Sequence, residues 1–294
     1  MLLVAVALGV CLALPAQAAA APGEVLWNIG TADGVGIEFA PGARNQLTYT
    51  VGQSVPSKDF AGHQTGSVGF DPASSGEKPY TIAFDLKEPP SGAYHLALDL
   101  IYHSGAPRQI KIKVNNRVGI FPVRHEPKKS SYGEEANVML MAKQHQVVPI
   151  DAALLKQSGN QITITPLGIG GWDYDAVTFA RGTGDTEKLR LEPTIFFKGG
   201  KGKLVEICQL VVPFQKRITS GTANIQVGKD KLSASFSSGE YDFGVLTQPV
   251  EVPAQSQPST ASLRLNCDGA SVRQAKSKLL PCSRWSRCVK YIER

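Results

Sequence analysis

The sequence has few cysteines, and none lies between Cys11 and Cys208. A fold built from the residues between them must therefore be held by its core and not by disulfide bonds. Cys208, Cys267, Cys282 and Cys288 follow. Cys208 and Cys267 each fall in a strand-like run, so a Cys208–Cys267 disulfide is one interpretation and two buried thiols are the equal alternative.

Long apolar runs are also missing, apart from Leu2–Leu14, which is too short to span a bilayer. The sequence Ala16-Gln17-Ala18 follows it and fits the small-x-small rule for signal peptide cleavage. We therefore expect residues 1–18 to be a signal peptide, although no Lys or Arg precedes Arg44. Export implies a secreted or periplasmic protein that has no membrane association after cleavage.

The sequence lacks the motifs of common hydrolases and metalloenzymes. The histidines form no H-x-H or H-E-x-x-H pattern, which argues against a catalytic zinc. No Gly-x-Ser-x-Gly is present, so the nucleophile elbow of serine hydrolases is excluded. The acidic residues form no recognisable pair, and Asp85 and Asp99 fall within predicted strands. We expect no catalytic centre, with an unrecognised polysaccharide lyase or glycoside hydrolase site as the alternative.

The net charge of +6 is concentrated at the C-terminus. From Lys276 onward there are six basic residues and one acid, which leaves the rest of the chain near neutral. No basic stripe interleaved with aromatic residues occurs in the body of the chain, so we expect no nucleic-acid partner.

Short runs with alternating apolar residues predict an all-β protein. In the first part the predicted strands are Glu24–Ile29, Gln46–Val51, Tyr80–Leu86, Gly92–Tyr102, Gln109–Val114, Val118–Val123, Gln146–Ile150, Asn160–Pro166 and Ala176–Ala180. In the second part they are Lys203–Val212, Thr222–Val227, Lys231–Phe236, Glu240–Val245 and Ala261–Asn266. A tight hairpin is predicted at Asn115-Asn116, a short helix at Asp151–Lys156 and a loop at Pro249–Pro258.

Two segments resemble a known domain. Trp27–Gly34 (WNIGTADG), followed by Glu38-Phe39, is similar to the opening of the carbohydrate-binding-like third domain of family 4 rhamnogalacturonan lyases. Gly171–Phe179 (GWDYDAVTF) fits the last strand of that domain. The resemblance covers about Glu24–Ala180. It implies a jelly-roll β-sandwich of accessory type, without the lyase active site.

The second segment resembles the β-domain that precedes the catalytic domain of secreted bacterial α-mannosidase-like proteins of glycoside hydrolase family 38. The resemblance rests on Leu191–Thr194, Val205–Gln209 and Ser238–Tyr241. It implies a second, smaller β-sandwich. In those enzymes an H-x-H-x-D zinc motif follows, but no such motif follows here, which suggests that a truncation or frameshift removed an enzyme domain.

The predicted organisation has five parts: a signal peptide at 1–18, a jelly roll at 24–181, a linker at 182–192, a small β-sandwich at 193–276 and an irregular basic tail at 277–294. Jelly-roll carbohydrate modules stack sugar rings on exposed aromatic side chains. The candidates for that role are Trp172, Tyr174, Tyr102, His103 and Tyr132. Trp172 follows a glycine-rich approach that suits an exposed ring, and core packing is the equal alternative.

Glu38, Asp173 and Asp175 are candidate ligands of a structural Ca²⁺, because the topology of a jelly roll brings the first and last strands together. Hydrogen-bonding and capping roles are the alternative, and no other cofactor is expected. The sequence thus favours a secreted, non-catalytic accessory protein that binds a polysaccharide or oligosaccharide and has a missing catalytic domain as its partner. A purely structural or protein-interaction module is a further alternative.

Overall fold

The computed structural model describes residues 23–68, 75–102, 109–123, 142–184, 186–198, 205–255, 257–267 and 270–279. Nearly all regular structure in these residues is β-strand, which confirms the all-β prediction. The strands are β1 Val25–Gly30, β2 Ala40–Ala43, β3 Leu47–Thr50, β4 Ala61–Thr65, β5 Tyr80–Phe84, β6 Ala93–Tyr102, β7 Gln109–Val114, β8 Arg117–Pro122, β9 Ala142–Asp151, β10 Asn160–Leu167, β11 Gly171–Arg181, β12 Arg190–Lys198, β13 Val205–Phe214, β14 Gly221–Val227, β15 Asp230–Phe236, β16 Phe243–Pro253, β17 Ser259–Cys267 and β18 Ala270–Leu279. The described helical elements are α1, Pro56–Asp59, and a 3₁₀ turn, Ala152–Leu154.

The two ends of the chain lie largely outside the described residues. The predicted signal peptide at 1–18 and most of the predicted basic tail lie outside the described residues. β18 includes residues 277–279, which the sequence assigned to that tail. Within the described part of the chain, no helix is long and apolar enough to cross a bilayer.

The alternating apolar pattern forms strands with one buried face. In β7, Ile110, Ile112 and Val114 are buried and lysines alternate with them. The Asn115-Asn116 turn then connects β7 to β8, and Asn115 has a φ of 53°, which asparagine tolerates better than most residues. The predicted hairpin is therefore confirmed.

The short helix predicted at Asp151–Lys156 is the 3₁₀ turn. The side chain of Asp151 accepts a hydrogen bond from the backbone N–H of Ala153 at 2.8 Å. Asp151 thus caps the turn, as the sequence predicts.

The described strands form three sheets. The first has the order β2-β4-β11-β6-β9, with β1 also paired to β11. The second has the order β12-β13-β16-β8-β7-β10-β5-β3, and the third is β15-β14-β17-β18. β1 pairs with β11 from Val25 opposite Ala180 to Gly30 opposite Ala176, so the first and last strands of the predicted jelly roll do meet.

The larger core combines side chains of the first sheet with those of β3, β5, β7, β8 and β10. Aromatic rings fill much of it. The ring of Phe60 lies edge-on to Tyr174 and Tyr80, with centroid distances of 5.0 and 5.7 Å. Trp27 stacks on Phe179 at 5.4 Å. Rings of this size dominate the apolar area that a sandwich buries, so they hold its two sheets together.

One polar side chain, Gln64 on β4, also links the two layers. It is fully buried, and its amide donates to the carbonyl oxygens of Lys78 (2.7 Å) and Ile164 (2.9 Å). Its side-chain oxygen accepts a hydrogen bond from the hydroxyl of Tyr174. Because both N–H groups and the oxygen have partners, burial of this amide carries no penalty for an unmade hydrogen bond.

A second core joins β12, β13 and β16 to the third sheet. Leu210 and Val252 contribute from one side, and Ile225 and Leu263 from the other. The predicted small sandwich is therefore present as a pair of facing sheets. The predicted linker at 182–192 overlaps the start of β12, and the boundary between the two units stays a prediction.

The second sheet is shared between the two sandwiches. Phe243 and Gly244 of β16 pair in parallel with Gly119 and Ile120 of β8. Gly244 has a φ of 131°, and a Cβ there would lie 2.1 Å from the carbonyl oxygen of Ile120, so this close pairing requires glycine. The ring of Phe243 is buried in the larger core, where it lies 5.9 Å from that of Phe121.

Several segments differ from the prediction. The strands β2, β4, β12 and β18 were not predicted. In β2 and β4 the sequences APGA and AGHQT lack alternating apolar residues. The predicted loop at Pro249–Pro258 is wrong in its first half, where β16 continues through Pro253 and Pro249 pairs with Gln209. At Pro249 β16 pairs with β13 alone, so the missing proline N–H is tolerated as on an edge strand.

Replacing Phe243 tests the junction. Phe243→Ala removes a buried ring from the larger core, so we expect the free energy of unfolding to fall by about 3–5 kcal/mol. Urea denaturation measures the change, and Ile37→Ala, at a side chain that is 81% exposed, should change it by less than about 0.5 kcal/mol. A loss below about 1 kcal/mol for Phe243→Ala would show that the junction is not packed as described.

Glu206 on β13 gives a pH-dependent test. It is buried, its Oε1 has no hydrogen-bond partner among the described residues, and burial raises the pKa of its carboxyl group above the ordinary value. The folded chain then holds a proton that the unfolded chain releases, so the free energy of unfolding falls as pH rises above the unfolded pKa.

We expect Glu206→Gln to remove this fall, because glutamine does not ionise. Urea unfolding at pH 5 and pH 8 measures it, with the exposed Glu240→Gln as the control. A pH slope that is the same in Glu206→Gln and in the unsubstituted chain would refute the burial of an unpaired carboxyl group.

Candidate functional site

The outward side of the first sheet carries a polar groove of about 360 Å³. β6 and β9 form one wall, and the loop after β1 forms the other. The principal lining residues are Asp33, Gly34, Asp99, Lys143, His145 and Asp175. The groove therefore combines carboxylates, an ammonium group and an imidazole on a framework of paired strands.

Asp175 fixes the loop to the sheet. β11 contains an irregularity between Tyr174 and Ala176, so Asp175 has no register partner on β6. Such a bulge redirects a side chain. The carboxylate of Asp175 is 5% exposed and accepts hydrogen bonds from the backbone N–H groups of Gly34 (2.8 Å) and Val35 (3.0 Å).

Gly34 is needed at this position for two reasons. Its φ is +92°, which glycine adopts without steric cost. A Cβ there would lie 1.4 Å from Nζ of Lys143, so the ammonium group occupies the space that a side chain would fill. Nζ of Lys143 also donates to the carbonyl oxygen of Asp33 at 3.3 Å. The loop and β9 are thus joined across the groove.

Two histidine–aspartate pairs lie on the same outward face. Nδ1 of His63 on β4 donates to Asp173 on β11 at 2.7 Å, and Nδ1 of His145 on β9 donates to Asp99 on β6 at 2.7 Å. Asp173 is opposite Ile101 in the register, so Asp99 is its diagonal neighbour, at about 7–8 Å between Cα atoms. The carboxylates orient the two rings, which is how proteins usually fix an imidazole at a site.

The pairs were not predicted from the sequence. His63 is on β4, which lacked a strand signal, and His145 precedes the predicted start of β9 at Gln146. The alternating pattern of β6 did indicate that the side chain of Asp99 points outward. Its partner His145, however, lies 46 residues further along the chain.

The predicted aromatic stacking residues have a different placement. Trp172 and Tyr174 are 0% exposed, because both point into the larger core. The ring of Tyr174 packs against those of Phe60 and Tyr80, and the ring of Trp172 packs against that of Tyr174, so an exposed stacking role does not fit this structure. Tyr102 ends β6, and its side chain, like the whole of His103 and Tyr132, lies outside the described residues.

The predicted Ca²⁺ ligands are only partly brought together. Asp175 binds the loop after β1, and Asp173 binds His63. Glu38 is half-buried on that loop's continuation, and its Oε2 has no hydrogen-bond partner within the described ranges. Among those ranges no group of three or more His, Cys, Asp or Glu side chains has the arrangement of a metal site. Both aspartates accept hydrogen bonds, and the structural Ca²⁺ stays a prediction.

The predicted Cys208–Cys267 disulfide is not formed. Cys208 lies in β13, opposite Pro193 and Val250, and its side chain is 0% exposed. Cys267 ends β17 and is paired with Gly221 and Ala270. The two cysteines occupy different sheets of the second sandwich, where each packs with the apolar core.

Comparison with known proteins decides what the first sandwich is. The family described as "CBM-like: Polysaccharide lyase family 4, domain III" matches residues 25–179. The chain belongs to this family. The first of the two resemblances in the sequence is thereby confirmed. The matched residues include every residue that lines the groove, and both histidine–aspartate pairs also lie within them.

Solved structures add only distant similarities. A GH2 β-galacturonidase from Eisenbergiella tayi bound to galacturonate is 12% identical, with a TM-score of 0.25, over 69% of this chain and 36% of that chain. A β-D-mannosidase from Dictyoglomus thermophilum is 10% identical, with a TM-score of 0.26, over 69% of this chain and 29% of that one. The chain thus spans about a third of their length. A search of curated proteins found no significant match.

Neither of these structures is a family 38 enzyme, so the resemblance of the second segment to that family stays a prediction. What is established is a carbohydrate-binding-like β-domain of the polysaccharide lyase type at residues 25–179.

Replacing Asp175 tests how the loop is held. Asp175→Asn removes the charge and one acceptor oxygen, so we expect the free energy of unfolding to fall by about 1–3 kcal/mol. The amide hydrogens of Gly34 and Val35 should exchange faster, as measured by NMR. Asp151→Asn is the control, because asparagine caps as well as aspartate. Unchanged exchange at both amides would rule out this anchoring.

Proposed function

We propose that the chain is a secreted, non-catalytic carbohydrate-binding protein whose sugar site is the polar groove of the CBM-like domain. The observation that carries the proposal is the convergence of the His145–Asp99 pair, Lys143 and Asp33 on one groove within a domain of this family. The ligand is a polysaccharide or oligosaccharide, and the protein serves as an accessory to a catalytic domain that acts on it.

The chemistry of the groove suits sugar hydroxyls. Each hydroxyl both donates and accepts a hydrogen bond, so a site needs acceptors and donors side by side. Asp33 on the loop wall and Asp99 on the opposite wall supply carboxylate oxygens, and Lys143 beside Asp99 supplies N–H donors. Hydrogen bonds to charged groups are about twice as strong as those between neutral groups, which favours this set as a sugar-reading site.

Two aliphatic residues of the loop that forms one wall of the groove are exposed. Val35 and Ile37 are 52% and 81% exposed, and both follow Gly34 on the loop that Asp175 holds. Exposed aliphatic groups offer contact to the C–H faces of a sugar ring. In this proposal they take the role that the sequence assigned to aromatic rings, since no large aromatic side chain described in the first sandwich is exposed.

The proposal is tested with the full mature chain on an array of plant and microbial polysaccharides. We expect retention of at least one glycan. Asp99→Asn combined with Lys143→Gln should weaken binding at least about tenfold, because two charged hydrogen-bonding groups are lost. Lys113→Gln, on an exposed lysine of β7 in the second sheet, is the control and should bind normally.

Two results would contradict the proposal. One is undiminished binding by the double variant while its thermal unfolding midpoint is unchanged. The other is release of reducing or unsaturated sugar from pectin or mannan by the purified chain, which would instead indicate an enzyme.

A further inference from the structure

The four-stranded sheet of the second sandwich presents a second groove, outside the residues that match the family. It has a volume of about 700 Å³ and takes lining residues from β14, β15, β17 and β18. We call it the basic face and define it by six exposed side chains: Asn224, Gln226, Lys231, Arg264, Gln274 and Lys276.

The register places these side chains in two rows across the sheet. In the first row Lys231 of β15 is opposite Gln226 of β14. Gln226 is in turn opposite Ser262 of β17, and Ser262 is opposite Lys276 of β18. The two lysines are therefore three strand spacings apart, about 14 Å. In the next row Asn224 is opposite Arg264, and Arg264 is opposite Gln274. The cations form a triangle with amides and a hydroxyl between them.

None of the described residues that line this groove is acidic. Within the described part of the chain, Lys231, Arg264 and Lys276 take part in no ion pair, whereas other cations such as Arg117 and Arg190 do. Among the described residues, no acidic side chain pairs with the cations of this face. An uncompensated patch of one sign raises the local concentration of ligands of the opposite sign.

We propose that the basic face binds an anionic polysaccharide. Its cations pair with the ligand's carboxylate or sulfate groups. The amides of Asn224, Gln226 and Gln274 and the hydroxyl of Ser262 bond sugar hydroxyls between the charges. The lining contains no aromatic ring, and proteins that hold single-stranded nucleic acids depend on rings for base stacking, so the face favours a glycan over a nucleic acid.

This site is separate from the polar groove of the CBM-like domain. The two share no residue, lie on different sheets and differ in charge, since the first contains three aspartates and this one none. The proposal therefore stands or fails independently of the function proposed above.

The experiment measures binding of the full mature chain to polygalacturonate and to dextran sulfate, with neutral dextran as reference, by affinity electrophoresis and calorimetry. We expect binding to one or both anionic polymers and none to dextran. Retention by polygalacturonate alone identifies carboxylates as the ligand groups, and retention by dextran sulfate alone identifies sulfates. Affinity should fall as salt is raised, because exposed charges are screened.

The variant Arg264→Gln with Lys276→Gln should weaken this binding about three- to tenfold, because each exposed charge pair contributes up to about 1 kcal/mol. The matched control removes one exposed lysine and one exposed arginine elsewhere, Lys113→Gln with Arg217→Gln, and should stay within about twofold. Asp99→Asn with Lys143→Gln should retain the anionic binding, which separates the two sites.

Three results would overturn the proposal. The first is no binding to either anionic polymer at low salt. The second is an equal loss in the basic-face variant and in the matched control, which would mean that net charge alone is responsible. The third is tighter binding to single-stranded DNA at equal charge concentration than to any of the polysaccharides.

Discussion

The alternation of β11 is the constraint on which the first sandwich and its groove depend. Trp172 and Tyr174 point into the core, while Asp173 between them points outward to His63. The bulge that follows directs Asp175 to the loop after β1. One central strand therefore supplies both the rings that hold the sheets together and the carboxylates that organise the outer face.

The opening motif has a structural explanation in this arrangement. β1 places Trp27 in the core and pairs with the end of β11. The chain then turns through Asp33 and Gly34, whose backbone Asp175 holds against the sheet. A groove wall made of loop backbone is thus fixed by a buried carboxylate that accepts several N–H hydrogen bonds.

Much of the fold follows from the sequence, because alternation over β5, β7, β10, β14 and β17 is local information. The groove does not follow from it. His63 and Asp173 are 110 residues apart, and their contact depends on β4, whose sequence AGHQT has no apolar period. The pairing of β4 with β11 on one side and with β2 on the other makes this segment a strand, a case of context overriding local propensity.

The placement of Trp172 shows where sequence reasoning gave two equal answers. The preceding glycine-rich turn suggested an exposed ring, and core packing of a large aromatic residue was the equal alternative. In the structure Trp172 shares the inward face of β11 with Tyr174. The alternation of side chains along β11 decides between the two answers, because a shift of one residue would move all of its apolar side chains to the outer face. The free energy of burying two large rings greatly exceeds what an exposed position would gain.

The most direct test of this account is a solution NMR titration of the full mature chain with the glycan that binds most tightly. We expect the imidazole signal of His145, which lines the groove, to shift, and the indole N–H signal of Trp172 to stay in place. A shift of the Trp172 indole without change at His145 would contradict the account, because it would place the sugar on the ring that the structure buries.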